Sequence, residues 1–155
     1  MNKKTMKNDF QSKKVAAVFE RTPPAIRKRL LVLRKLIFEV ASKTSGVGPL
    51  EETLKWDSPS YLTSETQSGT TLRIDRVGSQ EGMYGIFVHC QSNVVKEFKQ
   101  KVTTPLTFDS TRGIILDVKD DIPEEVRYFI YLALTYHLRK KKGSVKEVWN
   151  QGWMC

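Results

Sequence analysis

Apolar positions along the chain return with a helical period in a few long stretches and alternate in several short ones, with glycine and proline marking the turns between them. Ile26, Leu30, Leu33, Ile37 and Val40 recur at spacings of 4, 3, 4 and 3, the signature of one helix face, with Lys28, Lys35 and Glu39 opposite. Thr22-Pro23-Pro24 reads as the start of that helix, with Thr22 as cap and Pro23 in the first turn, where a missing N–H costs nothing; Ser45-Gly46 reads as its end. A shorter helix is expected over Asp9 to Glu20 through Phe10, Val15, Val18 and Phe19, and another over Asn93 to Val102 through Val94, Val95 and Phe98. A last long helix is expected from Asp121-Ile122-Pro123-Glu124-Glu125, where Asp121 and Glu124 have capping-box spacing and the acidic turn complements the helix dipole. Val126, Ile130, Ala133 and His137 line its apolar face, Lys140 to Lys142 sit at its C-terminal end, and Gly143 breaks it.

Between the helices the period shortens. Glu51 to Trp56 predicts a strand, Asp57-Ser58-Pro59-Ser60 a turn, and Tyr61 to Thr63 a short second strand. After the polar loop Ser64 to Gly69, Thr71 to Val77 alternates imperfectly as a half-buried strand, Gly78 to Gly82 turns, and Met83 to Cys90 returns as an antiparallel partner. Leu106 to Asp109 and Gly113 to Val118 are two further strands around Ser110-Thr111-Arg112. The order of elements predicts an α+β fold of two layers, a mainly antiparallel sheet of about five to six strands covered by helices. Residues 1–8 are polar and expected to be disordered, residues 9–155 are expected to form a single domain, and Val145 to Trp153 is expected to dock on its body as a short apolar-faced segment.

Charge changes this picture less than its total suggests. The 155 residues carry a formal net charge of +9. Residues 1–43 hold twelve basic and three acidic residues, residues 44–138 nine and thirteen, and residues 139–155 five and one. Two basic ends therefore flank a mildly acidic middle, which allows weak, salt-dependent contact with nucleic acid without any recognition motif for it. No apolar run approaches the ~20 residues of a membrane span, and the start lacks the apolar core of a signal peptide, so a cytoplasmic setting without a membrane partner is expected. Cys90 and Cys155 are too few for a disulfide framework and lack zinc spacing.

The most distinctive segment is Glu51-Glu52-Thr53-Leu54-Lys55-Trp56-Asp57-Ser58-Pro59-Ser60-Tyr61. Trp56 and Tyr61 flank a proline turn, and each pairs a large apolar body with a polar handle. They either wall a ligand pocket together with Pro59 and His89 or plug a strand corner. The segment resembles the signature of the YdhG-like family of domains of unknown function, in which a Glu-rich strand leads into Trp/Tyr–Gly–x–Pro–x–aromatic. The likeness extends to the Leu-rich helix before it, to Gly85-Ile86-Phe87-Val88-His89, and to the closing stretch from Ile114 to Leu138. Asp57 stands where the family often has glycine. The resemblance implies a small intracellular α+β domain of frataxin-like layout, one branch of which is associated with iron delivery, and it carries over no catalytic residue.

Iron would need carboxylates, and Asp120, Asp121, Glu124 and Glu125 are the cluster that offers them, although Lys119 and Arg127 flank it and helix capping accounts for three of the four. His89 and Cys90, adjacent on a strand, would point to opposite faces and chelate nothing together. His137 reads as a core residue of the last helix, and Asp75 and Asp117 as strand carboxylates of unknown separation. No serine has a Gly-x-Ser-x-Gly setting and no glycine-rich phosphate loop is present, so no enzymatic activity and no cofactor are expected. The reading is a binding domain for a small ligand or a protein partner, with a frataxin-type iron chaperone and a weak nucleic-acid-binding accessory protein as the alternatives.

Overall fold

A computed structural model describes residues 9–78 and 80–142, with the side chains of Lys141 and Lys142 left out. The expectations for residues 1–8, for the helix break at Gly143 and for Val145 to Trp153 lie outside the described residues. Two helices, α1 (Lys13–Arg21) and α2 (Pro24–Lys43), lead into the hairpin β1 (Glu51–Lys55) and β2 (Ser58–Leu62). Strands β3 (Leu72–Arg76) and β4 (Met83–Phe87), helix α3 (Val94–Lys101), and strands β5 (Thr107–Asp109) and β6 (Gly113–Asp117) follow. The described chain closes with α4 (Val126–Leu134) and α5 (Tyr136–Lys142). The six strands form one open antiparallel sheet in the order β1-β2-β3-β4-β6-β5, and with the helices they make an α+β fold of two layers.

Strand parity decides where the core lies. Register places Tyr61, Leu72, Ile74, Tyr84, Ile86, Ile114 and Leu116 on one face, where they are buried with Leu30, Leu33 and Ile37 of α2 and Phe129, Ile130 and Ala133 of α4. The alternate positions Ser60, Arg73, Asp75, Phe87 and Ile115 lie on the opposite face, outside that core cluster. Helix α3 joins through Phe98, which meets Phe108 and Phe129 edge-on.

Four local expectations give way to tertiary hydrogen bonding. Thr22 caps the end of α1, its hydroxyl donating to Val18 O at 2.7 Å, and the N-cap of α2 is Pro23. The carbonyls of Phe19, Glu20 and Thr22 accept from the Arg27 side chain, Phe19 O together with the Thr22 N–H. The turn of the first hairpin is Trp56–Asp57 alone, because Ser58 and Pro59 already belong to β2. Strand β4 stops at Phe87, so His89 and Cys90 occupy the turn after it; His89 O accepts from Ser92 N and Oγ, and its Nδ1 accepts from Gln91 N.

The fourth departure is the last helix. It begins at Val126, without a side-chain cap, and breaks at Thr135. The loop after β2 explains the break, because it supplies partners for the backbone groups that the break releases. Ser68 O accepts from the amides of His137 and Leu138 at 2.8 and 3.2 Å, Thr70 N donates to Ala133 O, and Ser68 Oγ donates to Leu134 O. Leu132 O is met by Arg139 Nη2 at 2.7 Å. The interruption leaves none of these groups unsatisfied, so it costs little. Gly69 sits so close that a Cβ there would lie 2.4 Å from Ala133 O.

Candidate functional site

The segment singled out in the sequence becomes the β1–β2 hairpin, and the two sides of its strands have different fates. Glu52 and Tyr61 are paired in register and face the helices. Both are buried, and Tyr61 OH donates to Glu52 Oε2 at 2.8 Å. Arg34 of α2 completes the group, donating through Nε to Glu52 Oε2 at 2.5 Å and through Nη2 to Oε1 at 3.1 Å. Gln11 N also donates to Oε1, and the guanidinium lies 4.5 Å from the centre of the Phe10 ring and 5.1 Å from that of Phe38. The fork geometry and full complement of partners are what a buried ion pair requires. Burial works against the charge on Arg34, but the bond and the charge of Glu52 outweigh it and raise the guanidinium pKa. Burial and the adjacent Glu52 carboxylate likewise push the Tyr61 phenol well above its ordinary value.

Pro59 is buried on the same side, opposite Leu54. Its missing N–H faces β3, where the ladder with β2 is formed by Ser60 and Tyr61 and does not reach it. On the other face, Ser58 Oγ donates to Asp75 Oδ2, Arg73 Nη1 donates to Ser58 Oγ at 3.3 Å, and the Arg73 guanidinium lies 5.8 Å from the Phe87 ring centre. Burial, with the nearby Arg112 charge adding to it against Asp75, lowers the Arg73 pKa. Neither polar group was visible in the sequence. The signal that could have found Glu52 is its parity with Leu54, which places a carboxylate at a core position.

At the tip, Trp56 and Asp57 have φ of +56° and +63°, the left-handed pair that a tight two-residue hairpin demands and that glycine or asparagine ordinarily supplies. For a side chain as large as tryptophan that conformation costs about 1–2 kcal/mol. Trp56 nevertheless plugs nothing, since it is 69% exposed. His89 lies at the opposite end of the sheet: it follows Phe87, which pairs with Arg73, whereas Trp56 falls beyond Arg76 in register. That is about 20 Å along the strands. The structure thus brings Pro59 and Tyr61 to one covered face, puts Trp56 at one rim and His89 at the other, and does not gather the four around one cavity.

The acidic residues are similarly dispersed among partners. Asp121 pairs with Arg29 at 3.8 Å and Glu124 with Arg127 at 3.6 Å. Glu125 accepts from Thr104 Oγ1 at 2.8 Å, which holds its carboxyl below the ordinary value. Asp120 is exposed beside them. Asp75 and Asp117 share a face but are separated by β4, about 10 Å across the sheet. Among the described residues no group of three His, Cys, Asp or Glu side chains is placed to hold a metal ion, and no helix is long and apolar enough to cross a membrane. In comparisons with known proteins, no family model, curated protein or solved structure matches the chain.

Proposed function

We propose that the chain is a non-catalytic, cytoplasmic binding module of YdhG-like kind, and that it engages a protein partner through the tip of the β1–β2 hairpin, with Trp56 as the anchor. One observation carries this reading: the fold holds a tryptophan in a left-handed turn and leaves 69% of it in water. Packing gives no reason for either feature, and backbone strain concentrates at functional positions. Tryptophan is also, with tyrosine and arginine, enriched among residues that dominate binding energy at protein interfaces. A protein partner is favoured over a small ligand because Trp56, Pro59, Tyr61 and His89 do not line one pocket. The iron-chaperone alternative is disfavoured because Asp121, Glu124 and Glu125 already have partners of their own.

The test is site-specific photocrosslinking of the full chain in the cells that express it. A photoreactive residue at position 56 should trap a discrete partner, whereas one at the exposed Gln100 should not. Excess unmodified chain should compete the product away, and a Trp56→Ala competitor with an unchanged melting temperature should not. Equal trapping at both positions, or equal competition by the Ala variant, would overturn the proposal.

A further inference from the structure

The outer face of the sheet is more deeply buried than its described neighbours explain. Register places Ser58, Ser60, Gly85, Phe87 and Gly113 on that face, whereas all five described helices send their buried side chains into the core cluster on the other one. The second face of an antiparallel sheet is ordinarily wet. Here Ser58 is 1% exposed, Ser60 0% and Phe87 8%. The Phe87 ring lies over the two glycines, since a Cβ on Gly85 or Gly113 would stand 2.7 Å from a ring atom. Backbone therefore covers the ring from below, and the Arg73 guanidinium stands 5.8 Å from its centre. Burial this deep calls for a further segment above it.

Cys90, in the turn that follows β4, is disulfide-bonded. The sequence holds one other cysteine, Cys155. Helix α5 runs out near the same rim, because Tyr136 OH accepts from Asn93 N at 3.1 Å and Arg139 pairs with Glu97 at 2.8 Å. The thirteen residues from 143 to 155 can span about 43 Å when extended. A five-residue strand such as β4 is roughly 17 Å long, so that stretch can cross the sheet and return to Cys90. It also carries Val145, Val148, Trp149, Trp153 and Met154. Flat indoles suit a surface of serine and glycine around one aromatic ring.

We propose that residues 143–155 form a strap across the outer face of the sheet, with an indole over Phe87, fastened by a disulfide between Cys90 and Cys155. Closing the strap is a two-electron oxidation. Both thiols lose their protons, the Cys90–Cys155 S–S bond forms, and a small disulfide such as glutathione disulfide is reduced to two thiols. In a reducing compartment such a bond acts as a redox sensor rather than a permanent staple, and its reduction frees the strap and uncovers the face.

The test uses the full chain oxidised with glutathione disulfide. Non-reducing peptide mapping should find Cys90 joined to Cys155 within one chain. In the oxidised chain the Phe87 ring should give NOEs to a tryptophan indole. Trypsin should cut after Lys146 at least tenfold more slowly there than in the reduced chain or in Cys155→Ser. Equilibration with glutathione separates a docked strap from a loose tether. Trp149→Ser with Trp153→Ser should make the bridge at least tenfold easier to reduce, and Lys146→Ser should not. The proposal is overturned by the absence of a bridge, by a bridge between two chains, or by equal cutting in the oxidised and reduced forms. An oxidised chain without Phe87–indole contacts, or a redox equilibrium indifferent to both tryptophans, would overturn it equally.

Discussion

Strand β2 has a loop at each end, and the two loops solve opposite problems. At its start, Trp56–Asp57 turns the chain in two residues, with strained backbone and an exposed indole. At its end, the loop from Thr63 to Thr70 is polar in sequence yet keyed into the break between α4 and α5, with Ser68 buried and its backbone and side chain bonded to both helices. Composition would have ranked them the other way, the aromatic turn as buried and the Ser/Thr loop as free. What separates them is backbone supply and demand. The helix break releases amides and carbonyls that only a nearby polar loop can meet, whereas the hairpin tip lies past the last paired residues of the sheet.

The largest effect is expected where the hairpin is most committed to the core. Glu52→Ala leaves the Arg34 guanidinium buried without its carboxylate and should cost about 3–5 kcal/mol in chemical denaturation. A loss under 1 kcal/mol would mean that the helix-facing side of the hairpin is no more tightly held than its tip. Gly69→Ala comes next. Its Cβ would meet backbone rather than a flexible side chain, at 2.4 Å from Ala133 O, so a destabilisation of roughly 2–3 kcal/mol is expected. Protection of the His137 and Leu138 amides from hydrogen exchange should fall with it. Retained protection would show that the loop does not hold the break.

Alkaline pH sharpens the contrast between the buried face and the rim. Burial pushes the Tyr84 phenol up to about 12, and its hydroxyl has no hydrogen-bond partner among the described residues. A pKa raised in the folded state gives stability that is present below pH ~10 and is lost as pH climbs from about 10 to 12. Tyr84→Phe should therefore match or exceed the parent near pH 7, and it should be spared roughly 1–3 kcal/mol of the alkaline loss. Parallel alkaline curves for the two proteins would contradict this. The smallest effect belongs to the tip: Asp57→Gly relieves a left-handed non-glycine residue and should stabilise by up to about 1 kcal/mol. A loss on that substitution would mean that the Asp57 side chain holds the turn.

Much of the fold was legible because it follows from local period. The apolar stripe Ile26–Leu30–Leu33–Ile37 is buried along α2, and the alternating stretches at 72–76, 83–87 and 113–117 became strands β3, β4 and β6. The candidate site was legible only as a segment. Trp56, Pro59, Tyr61 and His89 look like one aromatic and polar constellation in the sequence, but parity sends Pro59 and Tyr61 inward, and the turn holds Trp56 at the rim opposite His89.

By itself, the sequence determined the α+β class, the antiparallel pairing of short strands and the basic character of the α2 surface, because periodicity and charge are properties of neighbouring residues. Only the tertiary structure decided that Glu52 is a core residue, that the last helix is broken, and that tryptophan rather than tyrosine faces water. Each of those outcomes depends on which distant group lies within hydrogen-bond reach: Arg34 for Glu52, Ser68 for the helix break, and, among the described residues, none for Trp56.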